Sequence, residues 1–221
     1  MRSHYTERYG ADFIPGDITI QDWGVTYDEL QPHLDFFERI CGAAGRAGNL
    51  DGATQPGGNP FEGPRTRDYP NPPMQQPISN TLFGEAAERL GLNPFPMPSA
   101  NVTRAYENPY GAQLHPCTYC GFCERFGCGY LAKADPIICV YDRIRDHENF
   151  EIRFDAQVLK VETSQDGRTA TGVTYRGEDG LDYFQPADTV CLNAYGLWNV
   201  HLMLVSGLGQ PYDPAARTGT V

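Results

Sequence analysis

Four cysteines lie within twelve residues in the middle of this chain, and their spacing limits the local fold more than any other feature of the sequence. The four are Cys117, Cys120, Cys123 and Cys128. Chain segments this short between thiols must curl, and Gly121, Gly127 and Gly129 provide backbone freedom for that purpose. A curled loop of this kind can wrap a compact inorganic centre so that several sulfur atoms converge on it.

The spacing favours an iron–sulfur cluster, because thiolates are its usual ligands and cysteines two residues apart are a known form of such sites. Structural zinc is the first alternative, although zinc sites usually combine two separated Cys or Cys/His pairs. A disulfide within the loop is a second alternative, but bridges between such close cysteines are geometrically awkward. A run of buried free cysteines is a third, although free cysteines are usually scattered.

The loop differs from that of a bacterial ferredoxin. In that run the last gap is three residues and the final cysteine precedes proline, whereas here the gap is four residues and Cys128 precedes Gly129. A ferredoxin is therefore not predicted. The remaining cysteines, Cys41, Cys139 and Cys191, lie in apolar periodic segments and are predicted core residues.

Length and composition restrict the class of protein. A chain of 221 residues with 40% hydrophobic and 12% aromatic residues can bury a real core as one large domain or two small ones. The net charge of −11 argues against a general nucleic-acid-binding protein. No run of about 18 apolar residues predicts a membrane span, and the first residues lack the apolar core of a signal peptide, so we expect any targeting signal elsewhere.

Hydrophobic residues follow a helical period before residue 150. A capping box at residues 26–29 predicts a helix that ends at Gly42, a second helix is predicted over about 80–90, and Asp135 with Pro136 opens a third. Residues 45–78, rich in glycine and proline, are predicted to wrap another surface or else to form a linker. The predicted helix faces comprise Leu30, Leu34 and Phe37; Phe83, Ala86, Ala87 and Leu90; and Ile137, Val140, Tyr141 and Ile144.

After residue 150 the period changes to two. It predicts a small antiparallel meander with turns at 166–167 and 178–180, then a buried strand over 189–194 that feeds an apolar helix over about 197–206. The predicted fold class is α+β or α/β. The predicted domains are a helical, loop-rich segment 1–150 with the cysteine loop at 117–128, a segment 151–208, and a tail 209–221.

Four stretches of the chain resemble the flavoprotein subunit of gluconate dehydrogenases and of related sorbitol, fructose and glucose dehydrogenases. They are residues 108–128 with 133–136, 20–30, 55–64 and 192–209. The resemblance as a whole reaches from about residue 2 to 214, and on these stretches the chain is identified as an internal piece of a glucose–methanol–choline (GMC) oxidoreductase. The resemblance implies a partial FAD-binding domain of that type, made of the meander and the strand–helix unit.

The resemblance also implies an activity. It is the FAD-dependent oxidation of a CH–OH group in a sugar, sugar acid or polyol, with a hydride passing to the flavin. A [3Fe-4S] cluster, held by three of the four loop cysteines, is implied to relay electrons to a cytochrome c subunit, and a small subunit is a further implied partner. A periplasmic location, with membrane association through a partner subunit, is implied on the same grounds.

The resemblance also implies four residues of this chain that contact FAD. Gln157 and Val158 match the position whose backbone meets the adenine, and Ala194 and Gly196 match a small-residue turn near the cofactor. That turn normally reads Ala-Gly-Ala, whereas Tyr195 stands in its middle here.

Two expected features of such an enzyme are absent from the sequence. The G-x-G-x-x-G fingerprint does not occur, residues 207–209 being its nearest match, and none of the five histidines lies in the family's catalytic motif. No catalytic residue is therefore predicted. A stand-alone zinc-stabilised binding module and a non-catalytic subunit of a redox complex are the alternative functions.

Overall fold

The computed structural model describes residues 2–16, 20 and 22–221, and these divide into two compact units. The first ends at Phe150 and the second is Glu151–Val221. The first unit contains most of the helices and the cysteine loop, and the second contains a three-stranded sheet and one helix.

Short elements joined by long ordered loops make up the first unit. Its helices are α1 (Arg2–Tyr9), a 3-10 turn (Ala11–Phe13), α2 (Tyr27–Cys41), α3 (Ile78–Arg89) and a π-helical turn (Ile137–Tyr141) continued by α4 (Asp142–Ile144). Its strands form two antiparallel pairs, β1 (Asn49–Leu50) with β2 (Ala53–Thr54) and β3 (Tyr106–Glu107) with β4 (Gln113–Leu114).

Helix α2 begins and ends as its sequence predicts. The Thr26 hydroxyl accepts a hydrogen bond from Glu29 N at 3.2 Å, and the Glu29 carboxylate accepts one from Thr26 N at 2.8 Å, which completes the capping box. Gly42 ends the helix with φ of 63°. A β-carbon there would lie 2.5 Å from a methyl of Val102, so both conformation and packing require glycine.

The face that α2 buries is not the predicted one. Leu30, Leu34 and Phe37 are exposed, Phe37 at 62%, while the buried residues of the helix are Gln31, Asp35 and Cys41. The prediction was wrong because ion pairs hold the covered side of α2, where Arg67 pairs with Asp35 at 3.6 Å and Arg65 pairs with Glu38.

The predicted face of α3 is also largely exposed, whereas the predicted face of the third helix is mostly half-buried. Ala87 is the buried residue of α3, whereas Phe83 and Leu90 are exposed. In the third helix Ile137 is exposed and Cys139 is buried, while Val140, Tyr141 and Ile144 of the predicted face are half-buried. The Asp135 cap is confirmed, since its carboxylate accepts a hydrogen bond from Ile138 N at 2.9 Å.

The glycine- and proline-rich residues 45–78 pack against α2 through a buried cation. Arg65, 7% exposed, forms ion pairs with Glu38 of α2 and with Glu62, where the Nη1–Oε1 distance is 3.4 Å. Its guanidinium lies 4.0 Å from the centre of the Tyr69 ring, and the Tyr69 hydroxyl donates to Glu62 at 3.0 Å. One charge network therefore fastens this segment to the helix.

Within the segment, two glycines let backbone strands approach closely. A β-carbon at Gly48 would lie 1.8 Å from the carbonyl oxygen of Asn59, and one at Gly58 would lie 2.3 Å from that of Ala47. Gly48 N also donates to Glu62 at 2.6 Å, so the same carboxylate serves the backbone and Arg65.

A small apolar core lies beside the cysteine loop. Its buried members are Val102, Ala112, Leu114, Ala132 and Cys139. Cys117 and Cys128 pack against it. Cys41 and Cys139 are buried as predicted, and burial raises the pKa of the Cys41 thiol to about 11.

The second unit confirms the predicted meander. Strands β5 (Gln157–Thr163), β6 (Ala170–Arg176) and β7 (Asp182–Pro186) pair antiparallel in the order β5-β6-β7. Gly167 and Gly180 have φ of 68° and 77° in the connecting turns. Helix α5 (Gly196–Val205) packs on β5, where Val161 N donates to the hydroxyl of Ser206 at 2.9 Å.

Residues 189–194 do not form the predicted strand. They are half-buried or exposed and pair with no strand in the described part of the chain. Cys191, predicted in the core, is exposed for the same reason. An apolar run becomes a strand only when a neighbouring strand accepts its hydrogen bonds, so the strand–helix unit is represented by α5 alone.

The observed class is mixed α and β, with antiparallel sheets throughout the described residues. No helix in ranges 2–16 and 22–221 is long and apolar enough to cross a membrane.

We expect Arg65→Met to destabilise the first unit by about 3 kcal/mol, because Glu38 and Glu62, both half-buried, would be left without their cation. Urea unfolding measures the change. Arg89→Met is the matched control, since Arg89 pairs with Glu85 on the exposed face of α3 and should change stability by less than about 1 kcal/mol. Equal effects of the two substitutions would contradict this role of Arg65.

Stability should fall as pH rises above about 10, the ordinary pKa of tyrosine. Burial, followed by the charges of Glu62 and Glu38, raises the pKa of Tyr69 despite the opposing effect of Arg65. The unfolded chain therefore loses this proton at a lower pH than the folded chain, and the free energy of unfolding decreases. Tyr69→Phe should reduce the slope in alkaline urea titrations, and an unchanged slope would disprove the assignment.

Candidate metal and cofactor sites

The cysteine loop leaves the apolar core after β4 and returns to it before the third helix. Its first end is fixed where Cys117 N donates to Val102 O at 2.9 Å. Its second end is fixed where Val102 N donates to Ala132 O, also at 2.9 Å. Both ends therefore hydrogen-bond to the backbone of the same core residue.

Three of the four sulfur atoms accept N–H hydrogen bonds. Tyr119 N donates to Cys117 Sγ at 3.4 Å, Ala132 N to Cys128 Sγ at 3.4 Å, and Asn101 Nδ2 to Cys123 Sγ at 3.7 Å. Such donors stabilise the thiolate, which is the form that binds metals.

Cys128 has a lowered pKa. Burial alone would raise it, but N–H groups of the backbone outweigh burial and lower the pKa below that of an ordinary thiol. These donors belong to Ala132, Lys133, Tyr130 and Leu131.

The predicted convergence of the sulfur atoms is not present. All four loop cysteines are free thiols, with Cys120 and Cys123 exposed and Cys117 and Cys128 half-buried. Among residues 2–16, 20 and 22–221, no three His, Cys, Asp or Glu side chains are close enough to hold a metal ion. Backbone hydrogen bonds to Val102 anchor the ends of the loop, whereas the two middle thiols, Cys120 and Cys123, face solvent. The donor set nevertheless fits a thiolate-ligated metal chemically.

Backbone geometry within the loop differs from expectation. Of the glycines predicted to allow curling, Gly121 has φ of 80°, while Gly127 and Gly129 do not adopt positive φ. Tyr119 takes φ of 56° instead. Its hydroxyl accepts a hydrogen bond from Gln75 N at 2.8 Å, which joins the loop to the proline-rich segment.

Sequence reasoning missed two polar residues that contact the loop. Lys133 Nζ donates to Cys123 O and, at 3.3 Å, to Phe126 O. Asn101 is the donor to Cys123 Sγ. The signal for Lys133 was its place in the stretch 133–136, where the family resemblance continues beyond the last cysteine.

Asn108 connects the loop's support to α2. Its side chain is 3% exposed, and Nδ2 donates to Ile40 O at 3.0 Å and Cys139 O at 2.8 Å. Its Oδ1 accepts from Tyr110 N at 3.0 Å and Ala112 N at 2.9 Å. Four hydrogen bonds thus join three segments around one buried amide.

A cleft of about 1040 Å³ adjoins the cysteine loop. It lies between α3 and residues 94–97, and Tyr119 forms part of its wall. Its lining combines apolar Met74, Phe83 and Met97 with the cation of Arg46.

The residues carried over as FAD contacts lie on two elements that pack together. Gln157 and Val158 begin β5, opposite Arg176 and Tyr175 of β6. Ala194 lies just before α5, and Gly196 is its first residue.

The turn into α5 is closed by Asn199. Its Oδ1 accepts from Ala194 N at 2.8 Å, and its N donates to Tyr195 O at 2.8 Å. Tyr195 has φ of 70°, and the space at the α-carbon of Gly196 is open. None of the described side chains caps the helix, so its first N–H groups suit an anionic group such as a phosphate.

Replacing Asn108 with alanine should destabilise the first unit by at least about 2 kcal/mol, because two buried carbonyls and two N–H groups lose their partner. Thermal or urea unfolding provides the measurement. The control is Asn80→Ala on the exposed surface of α3, which should leave stability nearly unchanged. A small effect of Asn108→Ala would mean that water or relaxation satisfies these groups.

Comparison with known proteins supplies a relative but no family model, since none of the models searched matches the chain. The gluconate 2-dehydrogenase flavoprotein of Pantoea cypripedii is 44% identical over 224 aligned positions. The alignment includes the whole of this chain and 36% of that protein. This chain therefore spans about a third of the length of its relative.

The resemblance inferred from the motifs is confirmed by this alignment, which extends from one end of the chain to the other. The chain is a member of the family that includes the gluconate 2-dehydrogenase flavoprotein.

Proposed function

We propose that this chain contributes the cysteine loop and part of the FAD-binding region of a dehydrogenase that oxidises a CH–OH group in a sugar acid, sugar or polyol. The observation that carries the proposal is the loop of four free thiols, three with N–H donors, within a chain 44% identical to a gluconate 2-dehydrogenase flavoprotein. A sugar acid is the first substrate class because the relative's name specifies gluconate.

FAD is the proposed flavin cofactor. The residues of this chain that would hold it are Gln157, Val158, Ala194 and Gly196. When bound, flavin supplies hydride acceptance from the carbon being oxidised. The backbone at the start of β5 would position the adenine, and the uncapped N–H groups of α5 would favour negative charge. The catalytic base is not assigned to any residue of this chain.

An iron–sulfur cluster, of the [3Fe-4S] type, is the proposed metal centre. Its ligands would be three of Cys117, Cys120, Cys123 and Cys128. Such a cluster supplies one-electron transfer, here between flavin and a cytochrome c subunit. The residues of the chain hold the loop ends, donate N–H groups to sulfur, and keep Cys117 and Cys128 against the apolar core.

The proposed assembly is what the family resemblance implies. A flavoprotein of a dehydrogenase is expected to act with a cytochrome c subunit and a small subunit, and we propose a periplasmic location with membrane association through a partner. A zinc-stabilised binding module is the second candidate. The four-thiol loop suits zinc as a ligand set, but zinc alone gives no reason for a meander with FAD-domain resemblance to follow it.

Anaerobically purified chain should be brown and contain iron together with acid-labile sulfide. Elemental analysis and a sulfide assay measure this directly. Stoichiometric zinc without sulfide would overturn the cluster and favour the zinc module.

In the flavoprotein that contains this segment, Cys123→Ser should separate two activities. Oxygen is a poorer ligand than thiolate for iron of this kind, so steady-state reduction of cytochrome c should fall sharply. Flavin reduction by substrate in a single turnover should stay near the parent rate, because that chemistry occurs at the flavin. Stopped-flow absorbance at the flavin and cytochrome bands follows both.

Two further serine variants serve as comparisons for Cys123→Ser. Cys117 lies at the edge of the loop and is the expected spare ligand, so Cys117→Ser should have a milder effect. Cys191→Ser replaces an exposed thiol outside the loop and should match the parent. Full cytochrome reduction by a folded, flavin-loaded Cys123→Ser enzyme would show that the loop is structural.

A further inference from the structure

Lys133 occupies an unusual position for a lysine in this chain. It is one of only two lysines, beside fifteen arginines. In the part of the chain that the structure describes, its ammonium group bonds to two carbonyl oxygens of the cysteine loop, Cys123 O and Phe126 O. These partners are carbonyl dipoles rather than carboxylates, so they leave the positive charge of Lys133 in place at the cysteine loop.

Asn101 lies next to Lys133 and faces the same cysteine. The two residues form an antiparallel bridge, flanked by hydrogen bonds from Val102 N to Ala132 O and from Ala134 N to Ala100 O. The Ser99 hydroxyl donates to Asn101 Oδ1 at 3.2 Å, which leaves Nδ2 to donate to Cys123 Sγ at 3.7 Å.

Asn101 and Lys133 both contact Cys123, one of the proposed metal ligands. Cys123 is exposed, and within residues 2–16, 20 and 22–221 no backbone N–H donates to its sulfur, whereas Cys117 and Cys128 each accept a backbone N–H. The backbone carbonyl of Cys123 is bound by Lys133 and its sulfur by Asn101. Side chains outside the loop therefore position the thiol that the loop itself does not.

We propose that Asn101 and Lys133 are positioning residues that hold Cys123 for the metal centre and raise the reduction potential of that centre. This inference rests on the proposed iron–sulfur cluster. Reduction adds negative charge to a site already rich in thiolates. An N–H donor to sulfur and a nearby ammonium group stabilise the reduced form more than the oxidised form, and hydrogen bonds and net charge are known determinants of such potentials.

The test compares variants of the 221-residue chain purified anaerobically. Lys133→Gln and Asn101→Leu remove the charge and the sulfur donor, Lys133→Arg keeps the charge, and Lys160→Gln is the matched control. Lys160, the other lysine of the chain, is distant from the loop in sequence and pairs with Glu162 on the sheet. Its substitution therefore removes one lysine charge without touching the loop. Iron and sulfide content, iron loss to a chelator and an EPR-monitored redox titration are measured for each.

Lys133→Gln and Asn101→Leu should each show a lower midpoint potential than the parent. They should also lose iron to the chelator roughly tenfold faster, the lower end of the effect of outer-shell substitutions on metal sites. Lys133→Arg should recover most of the potential, and Lys160→Gln should match the parent. Circular dichroism checks folding, and if Lys133→Gln fails to fold, Asn101→Leu decides the question.

The outcomes separate this inference from the proposal beneath it. A parent chain without iron and sulfide overturns the iron–sulfur proposal and this inference together. If the parent holds a cluster, and Lys133→Gln and Asn101→Leu both leave its potential and rate of iron loss unchanged, the positioning role alone is overturned.

Discussion

The buried ion pair between Arg65 and Glu38 is the contact on which the arrangement of the first unit depends. It joins α2 to a glycine- and proline-rich segment that has little regular structure of its own. Glu62 and Tyr69 complete the hydrogen bonding and shield the charges from water. A buried charge without partners is costly, so this network specifies one way for the segment to lie on the helix.

The cysteine loop depends on that arrangement indirectly. α2 ends at Gly42, and the Asn108 amide links the adjacent carbonyl of Ile40 to that of Cys139 beneath the loop. Tyr119 adds a direct connection from the loop to the proline-rich segment. The support of the thiols therefore comes from elements distant in sequence, while the loop contributes the sulfur atoms and part of their N–H donors.

Local features of this fold could be predicted from sequence, but the buried face of α2 could not. The capping box at Thr26 and the stop at Gly42 depend on hydrogen bonds and conformations within a few residues. The meander was predictable because alternation and turn residues agree. The exposed face of α2, including Phe37, and the unpaired residues 189–194 were missed because burial depends on which partner arrives, and a periodic pattern does not identify it.

In the candidate site, too, some residues could be predicted from the sequence and others could not. Cysteine spacing identified the thiols, and resemblance identified the family. Neither indicated Asn101 or the role of Lys133, which are brought together only when two segments distant in sequence pair.

The central claim is that these thiols bind iron in a cluster. X-ray absorption at the iron edge of the anaerobically purified chain tests it most directly. The account predicts sulfur ligands and a neighbouring iron atom; only nitrogen and oxygen ligands, without a second iron, would contradict it.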